Sequence, residues 1–263
     1  MAGRALFVAI AIPVLVVLAQ PGVITSYDPY AVDLSQQLLP SSRAHLLGTD
    51  QFGRDELTRL VWGARTTLGA ALVVLLLALA FSAVAAVATT MLQPRARNPC
   101  LLVLNMCLAL PTQVVAIAVI GLLGPGLTNA MVAVIATGWA APAWLLRGLL
   151  ASEVNATHVE AARALGASRT RLLVRHVLPG ICGRVAIVVS LTFGQFMLTL
   201  SALSFLGLGA QPPAAEWGAM LSDAQQFLLT TPLLLVWPSA AIMLVVALSG
   251  LMAERVGTAL RLS

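Results

Sequence analysis

Long uncharged stretches of mostly apolar residues alternate with short charged segments along this chain. A helix that crosses a membrane needs about 20 consecutive apolar residues. One stretch is too long for a single helix and contains the breaker Gly124-Pro125-Gly126, so it predicts two helices. The pattern therefore predicts an all-α membrane protein with six transmembrane helices. The uncharged stretches are Ala5–Tyr27, Thr66–Pro94, Asn98–Leu146, Val185–Ala215 and Ala224–Ala253.

Composition agrees with this pattern, and the distribution of charge indicates how the predicted helices are oriented in the membrane. Apolar residues make up 59% of the chain, charged residues 10%, and the mean hydropathy is +0.94; a soluble domain carries about 25% charged residues. All 15 basic residues are arginine. With both termini in the cytoplasm, most of these arginines fall on the cytoplasmic side, as the positive-inside rule requires. The net charge of +5 thus reflects topology and needs no nucleic acid to explain it.

The predicted spans divide the chain into three parts. We expect a first transmembrane helix at 1–25, an external segment at 26–65, and a core of five transmembrane helices at 66–263 with a cytoplasmic loop at 150–183. The six spans are predicted at residues 5–25, 67–92, 100–123, 128–149, 184–207 and 231–253.

The first span has an alternative interpretation. Arg4, the apolar run and Val17-Leu18-Ala19 also fit a cleavable signal peptide. The uncharged stretch continues to Tyr27, which is long enough to cross a membrane. Cleavage would leave the predicted topology of the later spans unchanged.

The end of the external segment has helical periodicity. Apolar residues recur from Asp55 onward, with Asp55 and Glu56 in the first turn. We expect an amphipathic helix that lies at the outer membrane interface and runs into the second span; a solvated loop with a helical tail is the alternative. The apolar positions are Leu57, Leu60, Val61, Ala64 and Leu68.

Prolines inside the predicted spans indicate bends. Pro111, Pro142 and Pro238 each remove a backbone donor, which kinks a helix. A static kink and a moving hinge both fit this pattern.

The loop at 150–183 is a basic island between apolar spans. Alanines favour a helix over Val159–Leu165, and Gly166 can end it in the left-handed conformation. Ser168 is a suitable N-cap for a second helix from Arg169 to about Val177, which Pro179 is expected to close. A short exposed helix can bind in a groove on a partner protein. A partnerless loop that carries positive-inside arginines is the alternative.

The arginines of this loop have two possible roles. They can bind anionic lipid headgroups or acidic residues of a partner. These residues are Arg163, Arg169, Arg171 and Arg175.

Catalytic and metal sites are not predicted. The three histidines, His45, His158 and His176, all fall in loops, and no cluster of His, Cys and Glu has metal-ligand spacing. A P-loop requires lysine, and the sequence has none. No ionisable residue lies deep in a predicted span, which disfavours proton or ion coupling. We therefore expect no enzyme, no metal and no cofactor in this chain.

The basic island resembles the Glu-Ala-Ala loop of permease subunits in bacterial ABC importers. In that family Glu-Ala-Ala is followed by three residues, Gly, nine residues and Ile-x-Leu-Pro. Here the corresponding residues are Glu160-Ala161-Ala162, Gly166 and His176-Val177-Leu178-Pro179. His176 in place of isoleucine is the one departure.

Two further stretches narrow the resemblance. The external stretch Leu47-Gly48-Thr49-Asp50-Gln51-Phe52-Gly53-Arg54-Asp55 is similar to the external signature of the C-type permease of dipeptide, oligopeptide and nickel importers. The stretch from Ala202 to Pro213, followed by Trp217-Gly218, is similar to the end of that family's fifth helix. This resemblance covers the chain from about residue 45 onward and implies the fold of a type I ABC importer permease.

The resemblance implies a function and a set of partners. The chain would be a multi-pass permease in the bacterial cytoplasmic (inner) membrane and would form a path for di- or oligopeptides with a B-type sibling permease. One or two ABC ATPase subunits, which hold ATP and Mg, would dock on Glu160, Ala161, Ala162, Gly166 and Pro179. An external substrate-binding protein would deliver the cargo. Nickel, glutathione or haem are alternative cargoes, and a passive channel is the rival function.

Overall fold

A computed structural model of the chain describes residues 20–261, and within this range the chain is helical without a β-strand. Most of the predicted first span, at residues 5–25, lies outside the described residues. Short 3₁₀ turns occupy Pro21–Val23, Leu34–Gln36 and Gln225–Phe227. The α-helices are α1 Glu56–Met91, α2 Pro94–Ala109, α3 Thr112–Leu123, α4 Leu127–Gly138, α5 Ala140–Val154, α6 Thr157–Ala164, α7 Arg169–Leu172, α8 Leu178–Phe205, α9 Trp217–Ala224 and α10 Leu233–Arg261, with a π-helical turn at Leu173–Val177 between α7 and α8.

Five of the six predicted spans correspond to apolar helices in the described residues. Four stretches are long and apolar enough to cross a membrane, and α2 with α3 forms a fifth if this bent pair counts as one span. That correspondence supports an all-α membrane fold; six spans and cytoplasmic termini stay predictions. The four stretches are Glu56–Met91, Leu127–Val154, Thr170–Phe205 and Leu233–Leu260.

Helix α1 combines the predicted amphipathic helix with the second span. Its 36 residues extend about 54 Å, whereas the hydrocarbon core of a bilayer is about 30 Å thick. Asp55 is the N-cap instead of a first-turn residue, and its carboxylate accepts a hydrogen bond of 2.7 Å from the Thr58 N–H. The helix predicted from Asp55 is thus confirmed, and its place at a membrane interface stays a prediction.

The core of the bundle lies along α1. Ala71, Val74 and Ala78 are fully buried and pack with apolar residues of α3, α4, α8 and α10. Small side chains let neighbouring helix backbones approach closely in a membrane. The alanine-rich sequence of this span therefore explains why α1 is the central helix.

The third predicted span is broken at Pro111 instead of being one kinked helix. Helices α2 and α3 meet at an angle of 87°. Proline disfavours the helical conformation of the preceding residue, and Leu110 is accordingly extended, with φ −87° and ψ 136°.

The prediction that Pro179 closes the second helix of the basic island is wrong. The chain stays helical from Thr170 through Pro179 to Phe205, so the fifth span also begins earlier than predicted. A π-helical turn precedes the proline, in which the Leu178 N–H bonds to the Leu173 carbonyl. Proline breaks a helix because it lacks an N–H and clashes with the carbonyl four residues back. The wider turn lets the chain continue past it.

Candidate functional surfaces at the two ends of the helices

Residues 157–177, called the docking segment after the role that the resemblance implies, fold as their sequence predicts up to the π-helical turn. Helix α6 ends at Ala164, and Gly166 follows with a φ of +84°, in the left-handed region that favours glycine. The Ala167 N–H bonds back to the Ala162 carbonyl at 3.2 Å, which satisfies one of the free carbonyls at the helix end. Ser168 Oγ accepts a weak hydrogen bond of 3.4 Å from the Arg171 N–H. The helix, the sharp turn and the second helical start are confirmed.

The inner face of the docking segment is anchored in the helix bundle. Val159 and Val177 are fully buried, and Leu172 is nearly so. They form a second apolar cluster whose other buried members come from α1, α5 and α8, namely Ala86, Leu146, Leu150, Ile181 and Val188. A force applied to α6 therefore reaches three long helices through packed side chains.

The outer face of the docking segment is exposed. The predicted Glu-Ala-Ala triplet divides between the two faces: Glu160 and Ala161 are exposed, whereas Ala162 packs against the second cluster. Leu165, at the tip beside Gly166, is 88% exposed. A helix with small residues along its face and an apolar tip suits binding in a groove on another protein.

Polar contacts hold the first part of this segment against the end of α5, and hold α5 against α8. Arg163 donates through Nη2 to the Val154 carbonyl at 3.3 Å. Glu153 at the end of α5 pairs with Arg184 of α8 and lies 3.5 Å from Nε2 of His158. Sequence reasoning missed Glu153 and Arg184, because residues 31 positions apart show no local pattern that reveals their contact.

The remaining predicted residues of the segment lie at its surface. Arg171, Arg175 and Pro179 are exposed, and Arg171 and Arg175 form no ion pair with any residue in the described range. The side chain of Arg169 is outside the description. Their binding to lipid or to a partner stays a prediction.

The external signature residues form the interior of a compact structure of residues 26–55 and 210–227, called the external cap after the side of the membrane predicted for it. Asp50 is its central acceptor and is buried. Its carboxylate accepts from the N–H groups of Phe52 (2.8 Å) and Arg54 (3.0 Å) and from Nε of Arg54 (2.6 Å), and it lies 3.3 Å from Nε of Arg59. Arg59 is the member of this group that sequence reasoning missed.

The other signature residues have equally specific internal roles. Gly48 has a φ of +85°, and a Cβ atom there would overlap the carbonyl oxygen of Leu39. Gly53 has a φ of +72°, and a Cβ atom there would overlap the carbonyl oxygen of Asp33. Thr49 Oγ1 accepts from the Leu39 N–H at 2.9 Å and donates to the Gln36 carbonyl. Asp55 also binds Nδ1 of His45 at 2.9 Å. The signature therefore specifies the fold of the cap.

Helix α1 joins the two parts of the external cap. Besides facing Asp50, Arg59 donates through Nη1 to the carbonyls of Pro29 (3.2 Å) and Pro213 (3.4 Å). Thr67 Oγ1 donates to Glu216 at 3.0 Å, and the Trp217 indole N–H donates to the Leu60 carbonyl at 2.9 Å. These contacts hold residues 26–55, the start of α1 and the 210–224 region as one unit.

Two carboxylates of the external cap have raised pKa values. Burial raises the pKa of Glu216, against the opposing effect of hydrogen bonds from the Gly218 and Ala219 N–H groups. Burial also raises the pKa of Asp223, and Arg59 and Arg54 oppose it. Each group is thus more easily protonated in the folded cap than in water.

Comparison with known proteins gives a consistent result. Residues 78–261 match the family model described as "Binding-protein-dependent transport system inner membrane component". The chain is 36% identical to the nickel transport system permease protein NikC of Escherichia coli K12, over 89% of this chain and 83% of the relative. It is 35% identical to the glutathione transport system permease protein GsiD of Pectobacterium atrosepticum (84% and 73% covered) and 35% identical to the probable D,D-dipeptide transport system permease protein DdpC of Escherichia coli K12 (90% and 79%).

The fold also resembles a solved structure. A chain from the inward-facing conformations of the MetNI methionine ABC transporter superposes with a TM-score of 0.61 at 17% identity, covering 75% of this chain and 96% of that one. At this identity the likeness concerns the fold alone.

Proposed function

Since this chain belongs to the family of binding-protein-dependent transport system inner membrane components and is a permease component of an ABC importer, we propose that it forms, with a sibling permease, the translocation path for di- or oligopeptides. ATP hydrolysis takes place on separate ATPase subunits, and an external binding protein delivers the cargo. The membrane is the bacterial inner membrane.

The peptide cargo is the finer part of this proposal. The three relatives are named for nickel, glutathione and D,D-dipeptides, at identities of 36%, 35% and 35%, so identity does not separate them. Two of these three cargoes contain peptide bonds, which favours peptides. Nickel is the second candidate, supported by the NikC relative.

The docking of an ATPase is the mechanical part of the proposal. One observation carries it: α6 exposes Glu160, Ala161 and Leu165 on one face, while Val159 on the other face is fully buried in a cluster with α1, α5 and α8. A partner bound to the exposed face can thus displace the long helices, because packed interfaces transmit movement as rigid units. Closure of the ATPases on ATP would in this way alternate the path between its inward- and outward-open states.

Substitution at the tip of α6 tests the docking. In Leu165→Asp we expect the amount of ATPase that copurifies with the chain to fall at least about tenfold, because a charge replaces the exposed apolar side chain that we propose as the anchor in the partner's groove. Leu229→Asp is the matched control, since Leu229 is 96% exposed beyond α9, at the opposite end of the protein. Equal ATPase recovery with both variants would contradict docking at α6.

A separate measurement decides the cargo. The complex, reconstituted in liposomes with its binding protein, is assayed for ATP-dependent uptake of labelled dipeptide, tripeptide, glutathione and nickel. We expect saturable uptake of a peptide and competition by other peptides. Uptake of nickel alone would replace the peptide proposal and leave the permease assignment in place. Cargo flux without ATP would favour the passive channel.

A further inference from the structure

The break between α2 and α3 is the most unusual feature of the apolar spans. Seven consecutive residues, 108–114, are exposed where the two helices meet at 87°. The end of α2 has no capping bond, and no side chain caps the start of α3. Helix ends leave carbonyl and N–H groups without intrahelical partners, so this corner carries free backbone polar groups.

Packing places this corner near the middle of the membrane. Leu104 of α2 is fully buried in a cluster with Ala140 and Ala143 of α5. These two alanines lie about halfway along the apolar stretch Leu127–Val154. Leu110 is six residues beyond Leu104, at most about 9 Å further along the helix, so the break lies inside a hydrocarbon core that is about 30 Å thick.

Polar side chains flank the break. Asn105 precedes it on α2, and Thr112 and Gln113 follow it at the start of α3. All three are exposed, and within residues 20–261 their side chains form no hydrogen bond. The sequence indicates a bend at Pro111, but the 87° break that brings these residues to one corner is visible only in the fold.

Such a surface is incompatible with lipid. An unsatisfied backbone or amide group in hydrocarbon costs several kcal/mol. Non-helical backbone at membrane depth is tolerated where it lines a water-filled cavity or is covered by protein. Side-chain amides donate and accept hydrogen bonds, so they suit water and amide-bearing cargo equally well.

We infer that the corner at residues 105–113 lines the translocation path, with Asn105, Thr112 and Gln113 as hydrogen-bonding groups for a polar, amide-bearing cargo. This inference rests on the proposed function and adds the location of the path. Val84 of α1, next to Ala85 of the Leu104 cluster, is the apolar comparison position at a similar depth, and it is 70% exposed.

Thiol accessibility tests the inference. In a chain with Cys100, Cys107 and Cys182 replaced by serine, single cysteines are introduced as Gln113→Cys and Val84→Cys, and the complete complex is treated with a membrane-impermeant, positively charged methanethiosulfonate. This reagent needs water to reach and ionise the thiol. We expect Gln113→Cys to react at least about tenfold faster than Val84→Cys, and saturating cargo to change the rate at Gln113→Cys only.

The outcomes separate the two proposals. A complex that retains its ATPase and its uptake but labels Gln113→Cys as slowly as Val84→Cys overturns the path assignment, since residue 113 then lies against lipid or a protein neighbour. A chain that recovers no ATPase overturns the proposed function, and this inference with it.

In addition, Gln113→Leu should lower uptake severalfold with ATPase binding intact, and Gln113→Asn should restore most of it. Full uptake by Gln113→Leu would contradict a role in cargo binding.

Discussion

At the scale of single residues, the external cap shows how a sequence signature can encode a fold. Asp50 gathers N–H groups of its own turn and lies against two arginines, and Gly48 and Gly53 occupy positions that a Cβ atom would fill. Glycine is required there because both φ values are positive and the neighbouring carbonyls are close. The positions could be picked out from the sequence, but their contacts with Leu39 and Asp33 could not, because those residues are 9 and 20 positions away.

The glycine at position 53 provides a direct test of this steric account. In Gly53→Ala the added methyl group overlaps the Asp33 carbonyl, and the residue is strained at φ +72°. We expect the free energy of unfolding of the cap to fall by at least about 2 kcal/mol, seen as earlier thermal unfolding in detergent and faster proteolysis between residues 26 and 55. Gly22→Ala, which meets no atom within 4 Å, is the control. Equal stability of the two variants would refute the steric explanation.

The buried carboxylate of Glu216 predicts a pH dependence. Burial raises the folded-state pKa above the ordinary value of 4.5, so the protonated form is favoured in the folded cap. Its contribution to stability is therefore complete below about pH 4.5 and is lost as the pH rises through the folded-state pKa. Asp223 contributes a change of the same sign.

Replacement by an amide isolates this contribution. Glutamine at 216 can still accept from the Ala219 N–H and can donate to Thr67, so Glu216→Gln should fold. We expect its melting temperature to fall less than that of the parent chain between pH 4.5 and pH 9. Glu254→Gln, at an exposed position of α10, serves as the control. Parallel pH profiles for Glu216→Gln and the parent would show that Glu216 does not titrate in the folded cap.

At the scale of elements, the sequence predicts structure that neighbouring residues determine, but not structure that depends on contacts between distant residues. Helix α6, its end at Gly166 and the Ser168 cap follow from residues within a few positions of each other. Pro111 and Pro179 carry the same local signal but have opposite outcomes: the chain breaks by 87° at the first and stays helical through the second. The π-helical turn that precedes Pro179 contains Val177, which packs in the second cluster, and no local pattern specifies that contact.

The Glu153–Arg184 pair gives an element-scale prediction. It ties the end of α5, beside the docking segment, to α8. In Arg184→Gln we expect ATP hydrolysis by the complex to continue while cargo uptake per ATP falls severalfold, as coupling changes of about 0.5–2 kcal/mol would produce. Arg255→Gln, which alters an exposed arginine of α10, should leave the ratio unchanged. A parallel loss of hydrolysis and uptake in Arg184→Gln would indicate a folding defect instead.

At the scale of the whole molecule, the cap lies at one end of the long helices and the exposed face of α6 at the other, with the bundle between them. Helix α1 belongs to both ends: Arg59 and Thr67 fix the cap, and Ala86 packs in the cluster beneath α6. The broken α2–α3 pair lies between these ends, and its exposed corner carries Asn105, Thr112 and Gln113. The proposed coupling predicts that movement imposed at α6 changes the bundle around this break.

Cross-linking from α6 tests this account most directly. Ala161→Cys, in the chain without Cys100, Cys107 and Cys182, is treated in native membranes with a short cross-linker that couples its thiol to amines of neighbouring proteins, beside the matched variant Ala31→Cys on the external cap. The account predicts a cross-linked product between this chain and an ABC ATPase for Ala161→Cys only, with a yield that changes when ATP is bound. An ATPase product from Ala31→Cys, or none from Ala161→Cys in a complex that transports cargo, would contradict it.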